Sequence, residues 1–121
     1  MRPPIVIAGD GDLVFYKSEL QVQLYAEVQD IEGSSRVAYD SDGRLLKLDI
    51  REVQRRHRFL CLRWTDRKMA VVVSEVRPTV DLSGELRSKL MGFLQSAGYS
   101  LDELASRSMD ELVSLAWKRR L

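Results

Sequence analysis

An α+β domain with a mostly antiparallel sheet is predicted by the order of patterns along this 121-residue chain. Short β-branched and alternating runs, punctuated by Gly, Pro and Asp, fill residues 1–80. From residue 81 the apolar spacing becomes helical. Elements segregated in that way pack as helices against an antiparallel sheet. About six strands, one early helix and a C-terminal helical subdomain are expected. The length fits a single domain over residues 1–121, large enough to bury a core without disulfides.

The elements follow in order. Ile5-Val6-Ile7-Ala8 is a short β-branched run bounded by Pro3-Pro4 and Gly9-Asp10-Gly11, which marks a strand. Leu13-Val14-Phe15-Tyr16 follows closely enough to form a hairpin with it. Residues 18–28 carry two signals. Leu20, Val22, Leu24, Ala26 and Val28 alternate as in a strand, while Ser18 and Gln21 fit a capping box and Leu20, Leu24 and Val28 lie at helical spacing. Residues 37–39 and 44–50 flank Asp40-Ser41-Asp42-Gly43, whose Asp-Gly tolerates the positive φ of a tight hairpin. A calcium loop does not fit there, because the glycine comes too early and no bidentate Glu follows. Residues 51–57 are polar and read as a short helix or a strand extension. Residues 58–64 and 69–76 read as two strands joined at residues 65–68, with Arg77-Pro78 as the stop.

In the last third, Leu86, Leu90, Phe93 and Leu94 share one helical face and Gly98 is placed to end it. Ser100 with Glu103, and Ser108 with Glu111, are two further capping boxes, so two short helices follow. Lys118-Arg119-Arg120 complements the dipole of the last. The expected core comprises Ile5, Ile7, Val14, Leu24, Val37, Leu46, Leu62, Val71, Val73, Leu90, Leu94, Leu104 and Leu112.

Composition narrows the chemistry. With one His and one Cys the chain cannot supply an ordinary zinc site, and neither a nucleophile motif nor a phosphate-cradling glycine loop is present. Cys61, in the apolar run Phe59-Leu60-Cys61-Leu62, reads as a small buried hydrophobe. His57, among Arg55, Arg56 and Arg58, reads as a surface side chain. Asp10, Asp12, Asp40 and Asp42 would form a carboxylate cluster only if the two hairpin turns were neighbours; each also sits where Asp favours a turn. No cofactor and no metal are expected. No leader and no membrane span of ~20 apolar residues is seen, so a cytoplasmic protein with no membrane partner is expected.

Charge is uneven although the net is only +1. Residues 1–50 carry a net −4, residues 51–80 a net +5, and residues 81–121 balance. Arg51, Arg55, Arg56, Arg58, Arg63, Arg67 and Lys68 interleave with Phe59 and Trp64. That mixture suits a solvated face, a protein contact or nucleic acid, and the near-neutral net charge counts against the last.

Two stretches carry a family resemblance. One is Gly11-Asp12-Leu13-Val14-Phe15-Tyr16-Lys17-Ser18 with the later Leu24-Tyr25-Ala26-Glu27-Val28-Gln29-Asp30-Ile31; the other is Val37-Ala38-Tyr39-Asp40-Ser41-Asp42-Gly43-Arg44-Leu45-Leu46. Together, over roughly the first 46 residues, they resemble small bacterial immunity-type proteins of polymorphic or contact-dependent toxin systems. The resemblance implies strand, helix, then hairpin, and so a helix over residues 18–28. It also implies a non-catalytic protein that neutralises a cognate toxin by occluding its active site. Many such proteins are acidic, and this chain is not. The expected contact residues are Asp30, Glu32, Asp40 and Asp42, which would imitate phosphate, or Arg55, Arg58 and Trp64, which would meet an acidic partner. The alternative function is nucleic-acid binding or regulation through residues 51–68.

Overall fold

Ile5 to Ala8 are all buried, on both faces of the strand they form, because that strand lies inside the sheet. The computed structural model of the chain describes residues 1–9, 12–31 and 36–119; for Gln29, Asp30, Arg55, His57, Arg58, Phe59 and Arg119 it describes the backbone alone. Strands β1 (Ile5–Ala8), β2 (Leu13–Tyr16), β3 (Val37–Tyr39), β4 (Leu45–Phe59) and β5 (Leu62–Glu75) form one sheet in the order β2-β1-β3-β4-β5. Every pairing in it is antiparallel. Helices α1 (Glu19–Tyr25) and α2 (Val28–Ile31) precede β3, and α3 (Ser83–Ser96), α4 (Leu101–Ala105) and α5 (Met109–Arg119) follow β5. The chain therefore has an α+β fold with an early helix and a helical C-terminal third.

Alternation along the strands builds two apolar layers. Val6, Ala8, Phe15 and Tyr39 face Leu86, Leu90 and Leu94 of α3, Leu104 of α4 and Leu112, Val113 and Ala116 of α5. Phe15 meets Phe93 and Trp117 edge-on, with ring centroids 6.0 and 6.3 Å apart. Ile5, Ile7, Ala38, Leu46, Val71 and Val73 form the opposite layer with Val22 of α1.

The helix implied over residues 18–28 is present but shorter. The Ser18 hydroxyl accepts from the Gln21 N–H at 3.2 Å, and the Gln21 side chain accepts from the Lys17 N–H at 2.9 Å. The helix ends at Tyr25, and one further turn spans Val28–Ile31. Only Val22 of α1 is buried, and Leu24 is 46% exposed, so Leu24 is not the core residue that helical spacing suggests. Ser100 and Ser108 cap α4 and α5 as the boxes require, each accepting at 3.3 Å. Gly98, at φ +106, ends the C-terminal turn of α3.

The strands differ most from the sequence reading after residue 50. Residues 51–57 extend β4, and residues 65–68 are not a turn but part of β5. The chain reverses at Leu60-Cys61 instead. One uninterrupted hairpin therefore replaces what reads as separate strands, and the described sheet has five strands. Leu62, expected in the core, is 67% exposed, and Val14 and Val37 are half-buried.

One polar contact ties the sheet to α3. Tyr39 is buried, and its hydroxyl donates to Glu85 Oε1 at 2.6 Å. Burial first, then the Glu85 carboxylate, pushes its phenol above the ordinary value of about 10. The unfolded chain therefore loses this proton before the native one. Stability is full below pH ~10 and falls as pH rises toward the native value, by roughly 1 kcal/mol per pH unit. Urea melts at pH 9 and 11 should show this loss in the wild type and a smaller loss in Tyr39→Phe; equal losses would contradict it.

Candidate functional site

The inner end of the β4–β5 hairpin belongs to the body. Leu46, Val71 and Val73 lie in the core and Leu48 packs beside them. Ile50 pairs with Val71 and Leu48 with Val73, which fixes the register. On its other edge, β4 pairs with β3 only at Leu45 and Leu46. The ladder then continues for nine more pairs, from Arg51 opposite Ala70 to Phe59 opposite Leu62. At about 3.3 Å per residue this is an arm of roughly 30 Å. Between residues 51 and 69 every described side chain is exposed except Val53, which is half-buried.

This arm concentrates the chain's positive charge. Residues 51–69 hold seven basic and two acidic side chains, a net +5, against −4 for the rest. Glu52 pairs with Arg67 at 3.8 Å, and Arg51 reaches back to Asp49 at 3.2 Å. Along β5, Leu62, Trp64, Asp66 and Lys68 share one face, and Arg63, Thr65, Arg67 and Met69 the other. Trp64 is 46% exposed and Leu60 79%. Cys61 is exposed at the turn, which corrects the expectation of a buried thiol. A groove of mixed polarity lies at the base of the arm, where residues 23–28, including Gln23 and Glu27, meet Lys68 and Met69.

The two turns rich in carboxylates sit far apart. Ala8 pairs with Val37 and Val6 with Tyr39, so the β1–β2 turn and the β3–β4 turn lie at opposite ends of these strands. Asp12 pairs with Arg36 at 3.6 Å, and Asp10 lies outside the described residues. Among the described residues no group of three or more His, Cys, Asp or Glu could hold a metal ion. Likewise, no described helix is long and apolar enough to cross a membrane.

Asp40, expected on a contact surface, is fully buried. Its Oδ1 accepts from the Asp42 N–H at 3.0 Å and the Arg44 N–H at 2.9 Å, and its Oδ2 from the Arg2 N–H at 3.4 Å. The Gly43 N–H closes the turn on the Asp40 carbonyl at 3.1 Å. Gly43 has φ +84, and a Cβ there would lie 2.4 Å from Ser83 Cα, so α3 packs where only glycine fits. Asp42 is partly exposed and accepts from Arg2 Nη1 at 2.7 Å; the same nitrogen lies 3.1 Å from Asp110 of α5. These two carboxylates hold the Arg2 guanidinium charged above its ordinary value. The β3–β4 turn is thus a fastening of the fold.

Of the other expected contact residues, Asp30 lies on α2 and Glu32 lies outside the described residues. Arg55 and Arg58 lie on the arm, paired in register with Asp66 and Arg63, and His57 pairs with Trp64. The structure brings Arg55, Arg58 and Trp64 onto one element. It separates them from Asp40 and Asp42, since Leu45 and Phe59 at the two ends of β4 are roughly 45 Å apart at strand rise. The exposed Leu60, Leu62 and Met69 escape the sequence reading. A usable signal was present: basic residues at consecutive positions 55 and 56 put polar groups on both faces of a strand, which no core-facing strand tolerates.

Comparison with family models, with curated proteins and with solved structures finds no match for the chain. Asp40→Ala strips the acceptor from buried N–H groups and should cost about 2–4 kcal/mol. Asp42→Ala, which loses only partly exposed ion pairs, should cost under about 1 kcal/mol. Urea melts of the two variants check this; equal costs would contradict the assignment of Asp40 to the turn.

Proposed function

We propose that the chain is a non-catalytic binding protein of the toxin-neutralising class, and that the β4–β5 arm is the element that enters and covers the partner's site. The observation that carries this reading is the arm itself, nine residue pairs long beyond Ile50 and Val71, with only Ala70 at its root buried, and basic in an otherwise acidic chain. It contributes nothing to either apolar layer beyond Val71. A two-stranded ribbon is marginal when isolated in water, so a contact that buries Leu60, Leu62 and Trp64 stabilises it. Trp and Arg are the side chains that anchor such contacts. A clustered charge of +5 steers the arm toward an acidic cleft and accelerates encounter. The acidic turns are the weaker choice of interface, since Asp40 is buried and Asp42 is engaged by Arg2.

A second reading is favoured by the same geometry. An antiparallel ribbon of this width fits a major groove, and Arg56, Arg63, Arg67 and Lys68 with exposed Trp64 suit phosphates and base stacking.

Both readings are tested with one variant, Arg56→Glu/Arg63→Glu/Arg67→Glu. Association with the domain encoded by the adjacent open reading frame should slow at least tenfold at low salt and lose most of its salt dependence. Unchanged association would remove the arm from the interface. A gel shift with single- and double-stranded probes at low salt decides the second reading: a shift lost in the variant supports it, and no shift with the wild type ends it.

A further inference from the structure

The end of the arm is apolar. Leu60 is 79% and Leu62 67% exposed, and the exposed Cys61 lies between them. A hairpin turn ordinarily places Asn, Asp or Gly at this point, because they accept positive φ at little cost. Here a leucine has φ +56, a region that disfavours bulky residues. The tip of the arm thus combines an unfavourable turn residue with exposed apolar surface.

The groups behind the tip are ordered along the arm. Trp64 follows Leu62 on the same face of β5, roughly 7 Å further from the tip. Arg63 lies between Leu62 and Trp64 on the opposite face, and Arg56, Arg67 and Lys68 follow along the shaft, all exposed. An apolar cap backed at once by an indole and cations at neighbouring levels is the arrangement with which a peripheral element meets a bilayer. Apolar side chains enter the acyl boundary, Trp sits at headgroup level, and Lys and Arg meet anionic headgroups. The spacing agrees, because interfacial elements bury their apolar groups about 5–10 Å deep. Such a contact departs from the expectation of no membrane partner, which rests on the lack of a span; a shallowly inserted hairpin tip needs none.

We infer that the β4–β5 arm docks on an anionic lipid surface, with Leu60 and Leu62 inserted and Trp64 at the headgroup level. Phosphates of a nucleic acid would satisfy the shaft but leave the apolar tip in water. The bilayer satisfies both. This inference does not rest on the toxin-neutralising reading, although one tip cannot serve both contacts at once.

The test uses the full chain with vesicles of phosphatidylcholine, with and without phosphatidylglycerol, and follows sedimentation and Trp emission. Trp117→Phe in every protein leaves Trp64 as the reporter. The expected result is sedimentation with the anionic vesicles only and a blue shift of Trp64. Leu60→Ser/Leu62→Ser should weaken binding at least tenfold and abolish the shift with an unchanged urea melt, since both side chains are exposed. Arg56→Glu/Arg63→Glu should also weaken binding at least tenfold at low salt. Absence of sedimentation with anionic vesicles at low salt would overturn the inference. So would binding that persists in the double-serine variant without a blue shift, which is adsorption by charge alone. Binding of a DNA duplex, or of the adjacent gene product, without vesicle binding would overturn it too, and leaves the other readings of the arm standing.

Discussion

The register of the β4–β5 ladder is set where Val71 and Val73, paired with Ile50 and Leu48, enter the apolar layer beneath α1. A shift of one residue would turn Val71 and Val73 to the other face of the sheet and expose them. That cost holds the register in the body, and the ladder transmits it outward through nine pairs, of which only the first, with Ala70, reaches the core. The positions of Trp64 and Arg63, and the location of the turn at Leu60-Cys61, all follow from packing at the inner end of the hairpin.

The body keeps that inner end in place by fastening its edges. Asp40 closes the turn into β4 and binds the backbone of Arg2, while Arg2 bridges Asp42 and Asp110. The amino group of Met1 pairs with Glu75 at the opposite end of β5 from the arm. Leu82 donates to the Gly43 carbonyl at 2.8 Å, which aims α3 across the sheet, where Tyr39 reaches Glu85. Polar groups that read as a possible surface thus hold the layers together, and residues that read as interior form the surface most open to a partner.

Legibility followed local chemistry. Ser18, Ser100, Ser108, Gly43 and Gly98 each sit where a cap or a positive φ demands that residue type, so their turns and helix ends were readable. Half-buried and buried strands were readable from their β-branched runs. The arm was not, for a physical reason. Its turn lacks Gly, Asn or Asp, while Thr65-Asp66-Arg67-Lys68, mid-strand, looks like a turn. Long-range register overrode both local signals. Asp40 was readable as a turn residue, but its burial depends on Arg2 and the Arg44 backbone. Apolar residues at the tip were misplaced because apolarity predicts burial only where a body exists to bury against.

Division of the chain into a self-sufficient body and a protruding arm is the claim on which every functional reading depends. Shortening the hairpin tests it directly: Ile50 is joined to Val71 through Asn-Gly, a sequence that favours a two-residue turn. Cooperative unfolding of the shortened chain should stay within about 1 kcal/mol of the full chain, since marginal ribbons contribute little. Binding to vesicles, nucleic acid or the adjacent gene product should disappear. A shortened chain that fails to fold, or that folds and still binds, would contradict the account.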